Sequence, residues 1–350
     1  MQFCQYSSIE NHCNTKHQEK LSKYSRSDDI WLATEKIHGA NFSVTIDESD
    51  IKWGKRTSFI DGPLTQFNHA NYVGERYQQS VFRVFDEIKS MYNKNTTRIQ
   101  IYGELCGGKY GDIPTSHVRN VKPVQKQTQY SPNIEFIVFD IAITLCDGSN
   151  FFMNLQDVIR FCNGHLQTVA IMHEGTLDEM MQLSPEFITT IPRRFGLLDM
   201  LDNWAEGYVI RPKIEMRTPV GRLLTKIKGS KFQEKTKKPI VISDLSKKLT
   251  MEDLELMARY IQYITIARFD SVLSKLLDKD KLNVKKIVGL TIQDMYIDVE
   301  KDYPKPSKDE DEGEAIRDFI KLKKSVYPVL HNHVLTKYIE YTNSLEDEKI

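Results

Sequence analysis

The chain has no excess charge of either sign. Its 350 residues hold 48 Lys and Arg against 48 Asp and Glu, a formal net charge of zero. Overall charge therefore gives no pull toward nucleic acid or a membrane surface, and any such affinity must come from local clusters. Long apolar runs are also missing: no stretch approaches the ~20 residues that span a bilayer. The N-terminus, with Asn11, His12 and Lys16, lacks the apolar centre of a signal peptide. Cysteine is sparse and odd in number. Cys4, Cys13, Cys106, Cys146 and Cys162 show no metal-type pairing and read as reduced thiols in a cytosolic-type compartment. There is no internal repeat. What remains is a length that suits two domains and a sizeable core.

The most informative stretch is Thr34-Glu35-Lys36-Ile37-His38-Gly39-Ala40-Asn41-Phe42-Ser43. Trp31 and Leu32 lead into it. After it, Phe42, Val44 and Ile46 alternate with Ser43, Thr45 and Asp47, the period of a half-buried strand. Gly39 and Asn41 are turn residues, so the stretch reads as strand, tight turn, strand. On the first strand Thr34, Lys36 and His38 share a face. A lysine and a histidine thus lie together beside a glycine that admits close approach of another molecule. Taken alone, Lys36 reads better as the surface lysine of a solvated hairpin.

Further along, Ile51–Thr57 carries Arg56, either an exposed strand-end arginine or a planar fork for phosphate. Apolar residues from Val73 to Met91, spaced by three and four, predict an amphipathic helix over 72–92. Arg98–Gly108 reads as a strand ending in a glycine-rich turn, with Glu104 at its end. Residues 107–133 are loop-like and basic (Lys109, His117, Arg119, Lys122, Lys126), a solvated loop or one facing nucleic acid. Ile134–Ile141, with Phe139 and Asp140, has the length and composition of a core strand. Residues 151–200 read as structural support. In Arg222–Lys228, Leu224, Lys226 and Lys228 share one face and Leu223, Thr225 and Ile227 the other. Two lysines aimed together suit a triphosphate better than a core. From Lys226 to Lys248 eight lysines face only Glu234 and Asp244, a basic linker or a phosphate-contacting stripe.

Beyond Pro239 the pattern turns helical. Met251–Ala267 has apolar residues at helical spacing, opened by Thr250 with acids following. Similar patterns recur near Val272–Leu277, Ile292–Val299 and Ile316–Ile339, and Lys308–Glu314 reads as a solvated acidic connection.

The lysine-x-x-glycine of Lys36–Gly39 resembles the signature of the covalent nucleotidyl-transferase superfamily of ligases and capping enzymes. DNA ligases and capping enzymes usually have aspartate before the glycine. His38 in that place, followed by Asn41, resembles the RNA ligase 2 branch, which includes phage RNA ligases and trypanosome RNA-editing ligases. The remaining superfamily elements follow in order, and the resemblance covers nearly the whole chain. Tyr6–His12 resembles the branch's amino-terminal segment, which implies that it is ordered. Arg56 matches the family's arginine. Glu104 matches its ribose-contacting glutamate, and Phe139 the aromatic residue that stacks on adenine through its π face. Asp140 matches the aspartate beside that residue. Ala205–Pro212 resembles the glutamate-glycine element, which makes Glu206 the metal-organising carboxylate. One carboxylate acting through water is sufficient for Mg²⁺. Lys226 and Lys228 match the paired lysines, and Glu35, Ile37 and Asn41 complete the nucleotide-contacting set. Val288–Asp294 resembles part of the branch's C-terminal domain.

The resemblance implies an α+β fold: an antiparallel-sheet-rich adenylyltransferase domain over 1–240, then a small all-α, RNA-engaging domain over 241–350. The implied activity is ATP-dependent joining of RNA 3′-OH and 5′-phosphate ends, at nicks in duplex RNA, by a monomer in a cytoplasmic or viral setting. Lys36 would form a covalent bond to AMP, which would pass to the RNA 5′-phosphate before sealing. Lys36, His38, Lys226 and Lys228 form the implied catalytic set, with Mg²⁺, or Mn²⁺, at Glu206. A lysine at its reference pKa of ~10.4 is almost wholly protonated at neutral pH, so the site must favour the neutral amine. Neighbouring cations and desolvation both do so. His38 would position either the pyrophosphate or the attacking strand. Two alternatives stay open. A DNA ligase or capping enzyme is disfavoured by His38 and the helical tail, and a non-catalytic RNA-binding module by the intact nucleophile.

Overall fold

The computed structural model describes residues 1–92, 95–115, 121–219, 221–233, 250–302 and 326–347. Two compact units divide the chain, Met1–Ser230 and Lys231–Ile350. The boundary expected at residue 240 lies outside the described residues, as do Lys235–Lys248, His117, Arg119 and Lys308–Glu314.

In chain order the first unit contains β1 (Glu10–Asn11), α1 (Thr15–Tyr24), β2 (Trp31–Glu35), β3 (Ala40–Asp47), β4 (Ile51–Lys55), α2 (Asn71–Met91), β5 (Thr96–Lys109), β6 (Ser131–Leu145), β7 (Asn150–Phe152), α3 (Leu155–Cys162), β8 (Gln167–Thr168), β9 (Ile171–Gly175), α4 (Leu177–Met181), β10 (Gly207–Pro212), β11 (Arg217–Thr218), β12 (Gly221–Arg222) and β13 (Thr225–Lys228). The second contains α5 (Met251–Ile261), α6 (Ile266–Ser274), α7 (Val284–Asp302) and α8 (Tyr327–Asp347). The fold is α+β and rich in antiparallel sheet, with a helical second unit among the described residues.

Two main sheets build the first unit. One has the order β1-β13-β10-β2-β9, antiparallel except where β1 joins β13. The other runs β4-β3-β5-β6-β7, with β8 added parallel to β6. Strand β2 is buried on both faces. Trp31 and Ala33 pack with Leu21 of α1, Met180 of α4 and Tyr208 and Ile210 of β10. Leu32 packs the other way, with Ile37, Cys106, Ile137 and Leu155.

Four local expectations are corrected. The Thr34–Ser43 stretch is not a hairpin: β2 pairs with β10 and β9, whereas β3 pairs with β4 and β5. Residues 36–39 carry the chain from one sheet to the other. Strand β3 is not half-exposed either, since Ser43 and Thr45 are as buried as Phe42 and Val44. Its polar face is covered; Ser43 finds a partner there, whereas the Thr45 hydroxyl has none. Gln100 Nε2 reaches Ser43 Oγ at 3.4 Å, and the Cys4 carbonyl accepts from both Gln100 Nε2 and Tyr102 Oη at 3.0 Å. Strand β5 does not turn after Glu104 but runs on through Gly107 and Gly108, both at positive φ. A Cβ on Gly107 would lie 2.2 Å from the Asn133 carbonyl oxygen, so glycine here permits a close strand crossing rather than a turn. Finally, Met251–Ala267 is two helices. Thr265 caps α6 by accepting from the Arg268 amide, and both helices feed one core around Met257, Tyr260, Ile287, Ile292 and Leu330. A common core preserves the apolar period across the break.

Inside the helical unit Arg268 is fully buried. It donates to Asp294, to Asp298 at 2.6 Å and to the Tyr263 carbonyl at 3.0 Å. The charge is thus met by hydrogen-bonded partners, as burial requires.

Two glycines should respond oppositely to alanine. Gly207 sits at φ 135°, where a Cβ would lie 2.0 Å from the Ile227 carbonyl oxygen. Gly207→Ala should cost on the order of 1–3 kcal/mol, from backbone strain alone. Gly289 lies in α7 with nothing within 4 Å of an added Cβ. Gly289→Ala should stabilise by roughly 0.5–1 kcal/mol. Denaturant titration of both variants checks the pair; equal signs would contradict the assigned backbone geometry.

Candidate active site

The site forms where the pairing of β2, β10 and β13 ends. Antiparallel register sets Tyr208 opposite Glu35 and Gly207 opposite Lys228. The residue just after β2 therefore meets the residue just before β10. These are Lys36 and Glu206, and their side chains pair at 2.5 Å. The Lys36 amide also donates to the Gly207 carbonyl at 2.8 Å. From β13, Lys228 brings its ammonium to 3.0 Å from the other Glu206 oxygen. His38 Nδ1 lies 3.6 Å from the oxygen that Lys36 uses. Lys226 is two residues back on β13, opposite Val209 on one side and Asn11 on the other, and is partly buried.

Glu206 is 2% exposed. Burial alone would raise its proton affinity, but Lys36 and Lys228 outweigh that penalty and hold the carboxyl well below the ordinary range. The carboxylate thus stays charged, and it collects two lysines and a histidine around a single point. Glu104 behaves in the opposite way. It lies on β5 opposite Asn41 of β3. Burial pushes its carboxyl up to about 7, with Lys36 pulling against the rise, Glu206 adding to it and Arg56 opposing it. Two carboxylates of one site are therefore split by their surroundings, one fixed as an anion and one poised near neutrality.

The other expected residues surround this centre. Glu35 is buried, and its carboxylate accepts from Thr189 Oγ1 and, at 2.8 and 2.7 Å, from the Thr190 amide and hydroxyl. Burial raises its proton affinity and those bonds oppose the rise. Ile37 is core. Phe139 packs against the same cluster as Ile37 and meets Tyr6 edge-on at 5.0 Å. Arg56 donates to Ser8 Oγ at 2.7 Å near the surface. Asp140 is fully buried, with Tyr6 Oη and Arg222 each at 2.8 Å and Arg211 at 3.3 Å. Burial opposes its charge, and the two arginines keep its carboxyl below the ordinary value. Its role here is structural: Arg211 also donates to the Phe139 carbonyl at 3.2 Å, which ties the network to that residue's backbone.

Several contributors escape sequence reasoning. Thr189 and Thr190 lie in a stretch read as support. Gln125, Thr128 and Tyr130 lie in the expected loop; Lys109, Lys122 and Lys126 are exposed there, but Gln125, Thr128 and Tyr130 turn inward and are buried. Polar residues in an irregular segment carry no period, so their inward orientation leaves no pattern to read.

Among the described residues no three His, Cys, Asp or Glu side chains are grouped to hold a metal. Glu206 alone fits a hard cation that draws its remaining ligands from water and phosphate oxygens, as Mg²⁺ does.

The Glu104 shift has a consequence for stability. Its folded affinity, about 7, exceeds the ordinary 4.5. Folding therefore favours the protonated form, and its contribution is full below pH 4.5 and lost as pH rises through 7. Glu104→Gln does not titrate, so at pH 8 it should melt above the wild type, by up to a few kcal/mol in stability, with the gap closing below pH ~4.5. A gap independent of pH would contradict the assignment.

Comparison with known proteins identifies the family. The profile of the RNA ligase family matches residues 29–228. RNA-editing ligase 2, mitochondrial, of Trypanosoma brucei brucei is 28% identical over 256 residues, covering 66% of this chain and 61% of that protein. RNA-editing ligase 1, mitochondrial, of the same organism is 27% identical over 220 residues, covering 55% and 47%. The chain thus spans about half to three-fifths of the length of these relatives. Two solved structures of Naegleria gruberi RNA ligase also match. The one with ATP and Mn shows 13% identity and a TM-score of 0.37 over 64% of this chain and 55% of that one. The one with PPi shows 14% and 0.38 over 65% and 56%. Likeness that slight adds nothing to the assignment. The matched family segment opens before β2 and closes at Lys228, so it contains Lys36, Arg56, Glu104, Phe139, Glu206, Lys226 and Lys228. It spans more than half of the sequence, and the chain belongs to the RNA ligase family.

Proposed function

We propose that the protein is an ATP-dependent RNA ligase that joins 3′-OH and 5′-phosphate ends, at nicks in duplex RNA, through a lysine–AMP intermediate. The observation that carries this reading is the buried Glu206 carboxylate shared by Lys36 and Lys228. Asp140 also gathers two cations, but those are arginines, which stay protonated; the Glu206 cations are amines, one of them the lysine of the lysine-x-x-glycine stretch. Two lysines and a histidine on one buried anion fit a site that handles phosphates.

In the first step the Lys36 amine attacks the α-phosphorus of ATP. A nitrogen–phosphorus bond forms, the bond to pyrophosphate breaks with its electron pair leaving on pyrophosphate, and the two protons that Nζ loses between ammonium and phosphoramidate pass to solvent and to the departing pyrophosphate. Glu206 and β10 hold Nζ in place for attack. Lys228 and Lys226 offset phosphate charge from the neighbouring strand, and His38 sits where it can orient the leaving group. Glu206 would hold Mg²⁺ or Mn²⁺, which supplies positive charge for the phosphate oxygens when bound. Once adenylylated, Nζ carries no charge, so Glu206 loses one of its two lysine partners and faces Lys228 and His38 alone. AMP then passes to the RNA 5′-phosphate, and the 3′-hydroxyl displaces it. On this reading Phe139 and Glu35 face the base, and Glu104, Asn41 and Arg56 face the sugar and phosphates. The names of the trypanosome relatives support RNA as the substrate. A monomer in a reducing compartment, cytoplasmic or viral, suits the five free cysteines.

Lys36→Ala and Lys36→Arg should both fail to take label from α-labelled ATP, the arginine because it stays protonated and cannot attack. Glu206→Ala and Glu206→Gln should each lose on the order of 100-fold in label transfer, since the amide lacks the charge that gathers the lysines and the metal. Denaturing electrophoresis reads both sets. Full labelling of either Lys36 variant removes Lys36 as nucleophile, and wild-type labelling of Glu206→Gln removes the charge argument.

We further propose that the helical domain serves the later steps. A chain of residues 1–240 keeps every proposed nucleotide contact from Glu35 to Lys228. It should form lysine–AMP normally, seal a 5′-phosphate RNA nick poorly, and lose part of the salt dependence of RNA binding. Equal nick sealing by the two chains would make the helical domain dispensable.

A further inference from the structure

Strand pairing fixes Lys36 and then stops. Residues 37–39 leave the first sheet for β3, and side chains from the segment between β5 and β6 take over. The fully buried Tyr130 hydroxyl accepts from the His38 amide at 2.8 Å. Gln125 Nε2 donates to the Gly39 carbonyl at 3.2 Å. The same segment grips the approach to Glu206. Thr128 Oγ1 donates to the Trp204 carbonyl at 2.9 Å. The Asn203 side chain bonds the Gln129 backbone twice, Oδ1 accepting from its amide at 2.8 Å and Nδ2 donating to its carbonyl at 2.5 Å. One stretch of six residues therefore touches the turn after the nucleophile and the turn before the carboxylate, the two places where the β2–β10 ladder gives no support.

We propose that residues 125–130 are a brace that sets the spacing of His38 and Glu206, with Tyr130 and Asn203 as positioning residues for lysine adenylylation. The catalytic half of this inference rests on the ligase reading above. His38 Nδ1 stands 3.6 Å from the carboxylate, just beyond normal hydrogen-bond reach. Glu206 adjoins β10, but His38 belongs to no strand. A shift of a few tenths of an ångström at the 38–39 turn thus decides whether imidazole and carboxylate engage. Tyr130 and Gln125 control that shift from one end of the brace, and Asn203 and Thr128 from the other.

The test uses the full-length chain as wild type, Tyr130→Phe and Asn203→Ala. Tyr130→Phe keeps the ring and removes the acceptor. Peptide-resolved hydrogen exchange should quicken at both turns, 36–39 and 203–206, in each variant. Tyr130 bonds the first turn and Asn203 leads into the second, so the distant response is the signature of a brace. In label transfer from α-labelled ATP, Tyr130→Phe should be about tenfold slower, with the KM for ATP within about twofold of wild type. In a His38→Ala background it should cost nothing further, because it acts through His38. Exchange confined to the variant's own turn overturns the brace. A tenfold loss that persists without His38 overturns the positioning role. Wild-type protein that takes no label overturns the ligase reading and that role together, while the exchange result still decides the brace itself.

Discussion

A carboxylate sealed inside a protein is unstable as an anion unless cations come with it, and Glu206 has two lysines on its two oxygens. Much of the local architecture follows from that requirement. Lys36, Glu206 and Lys228 lie far apart in sequence, so β2, β10 and β13 must be neighbours in a fixed register. Gly207 must lack a side chain, because the strands approach too closely there for a Cβ. The arrangement is also unbalanced by design of its charges: one anion faces two ammonium groups and an imidazole. On the proposed reading, the two ammonium groups meet the phosphates of ATP.

The second sheet contributes a group of the opposite temper. Glu104 stands close enough to feel Lys36, Glu206 and Arg56, yet burial dominates and leaves it half-protonated near neutral pH. The site therefore combines a permanent anion with a neutral-leaning acid, each on a different sheet. Residues 36–39 are the chain's passage between those sheets. Lys36 thus occupies the joint of the domain, and side chains from an irregular segment bond the chain just after it.

Much of this was legible in the sequence, and the failures share a cause. The amphipathic helix over 72–92 appears as Asn71–Met91, since its apolar face is a strong local signal. Strand character around Phe42, Phe136 and Ile227 was equally plain. The hairpin expectation fails because a strand's partner is not a local property. Gly39 and Asn41 look like a turn whether the next strand folds back or joins another sheet. Ser43 and Thr45 read as solvent-facing because alternation reports polarity, not coverage, and Ser43 finds its partner, Gln100, on a distant part of the chain. The ordered set of Lys36, Glu206 and Lys228 was recognised through family resemblance. Composition alone would have left Lys36 a surface lysine. Thr189, Thr190, Tyr130 and Asn203 had neither period nor motif to mark them.

The central claim is that this buried carboxylate gathers two lysines of which only Lys36 is the nucleophile. Lys228 is as near to Glu206 as a hydrogen bond allows, so proximity to the carboxylate does not by itself choose between them. Mass-spectrometric mapping of the peptide that carries AMP, after incubation with ATP and Mg²⁺ and digestion under conditions that spare a nitrogen–phosphorus bond, chooses directly. The account predicts AMP on the peptide containing Lys36 and none on that containing Lys228. AMP on Lys228, or on any lysine outside the Glu206 cluster, would contradict it.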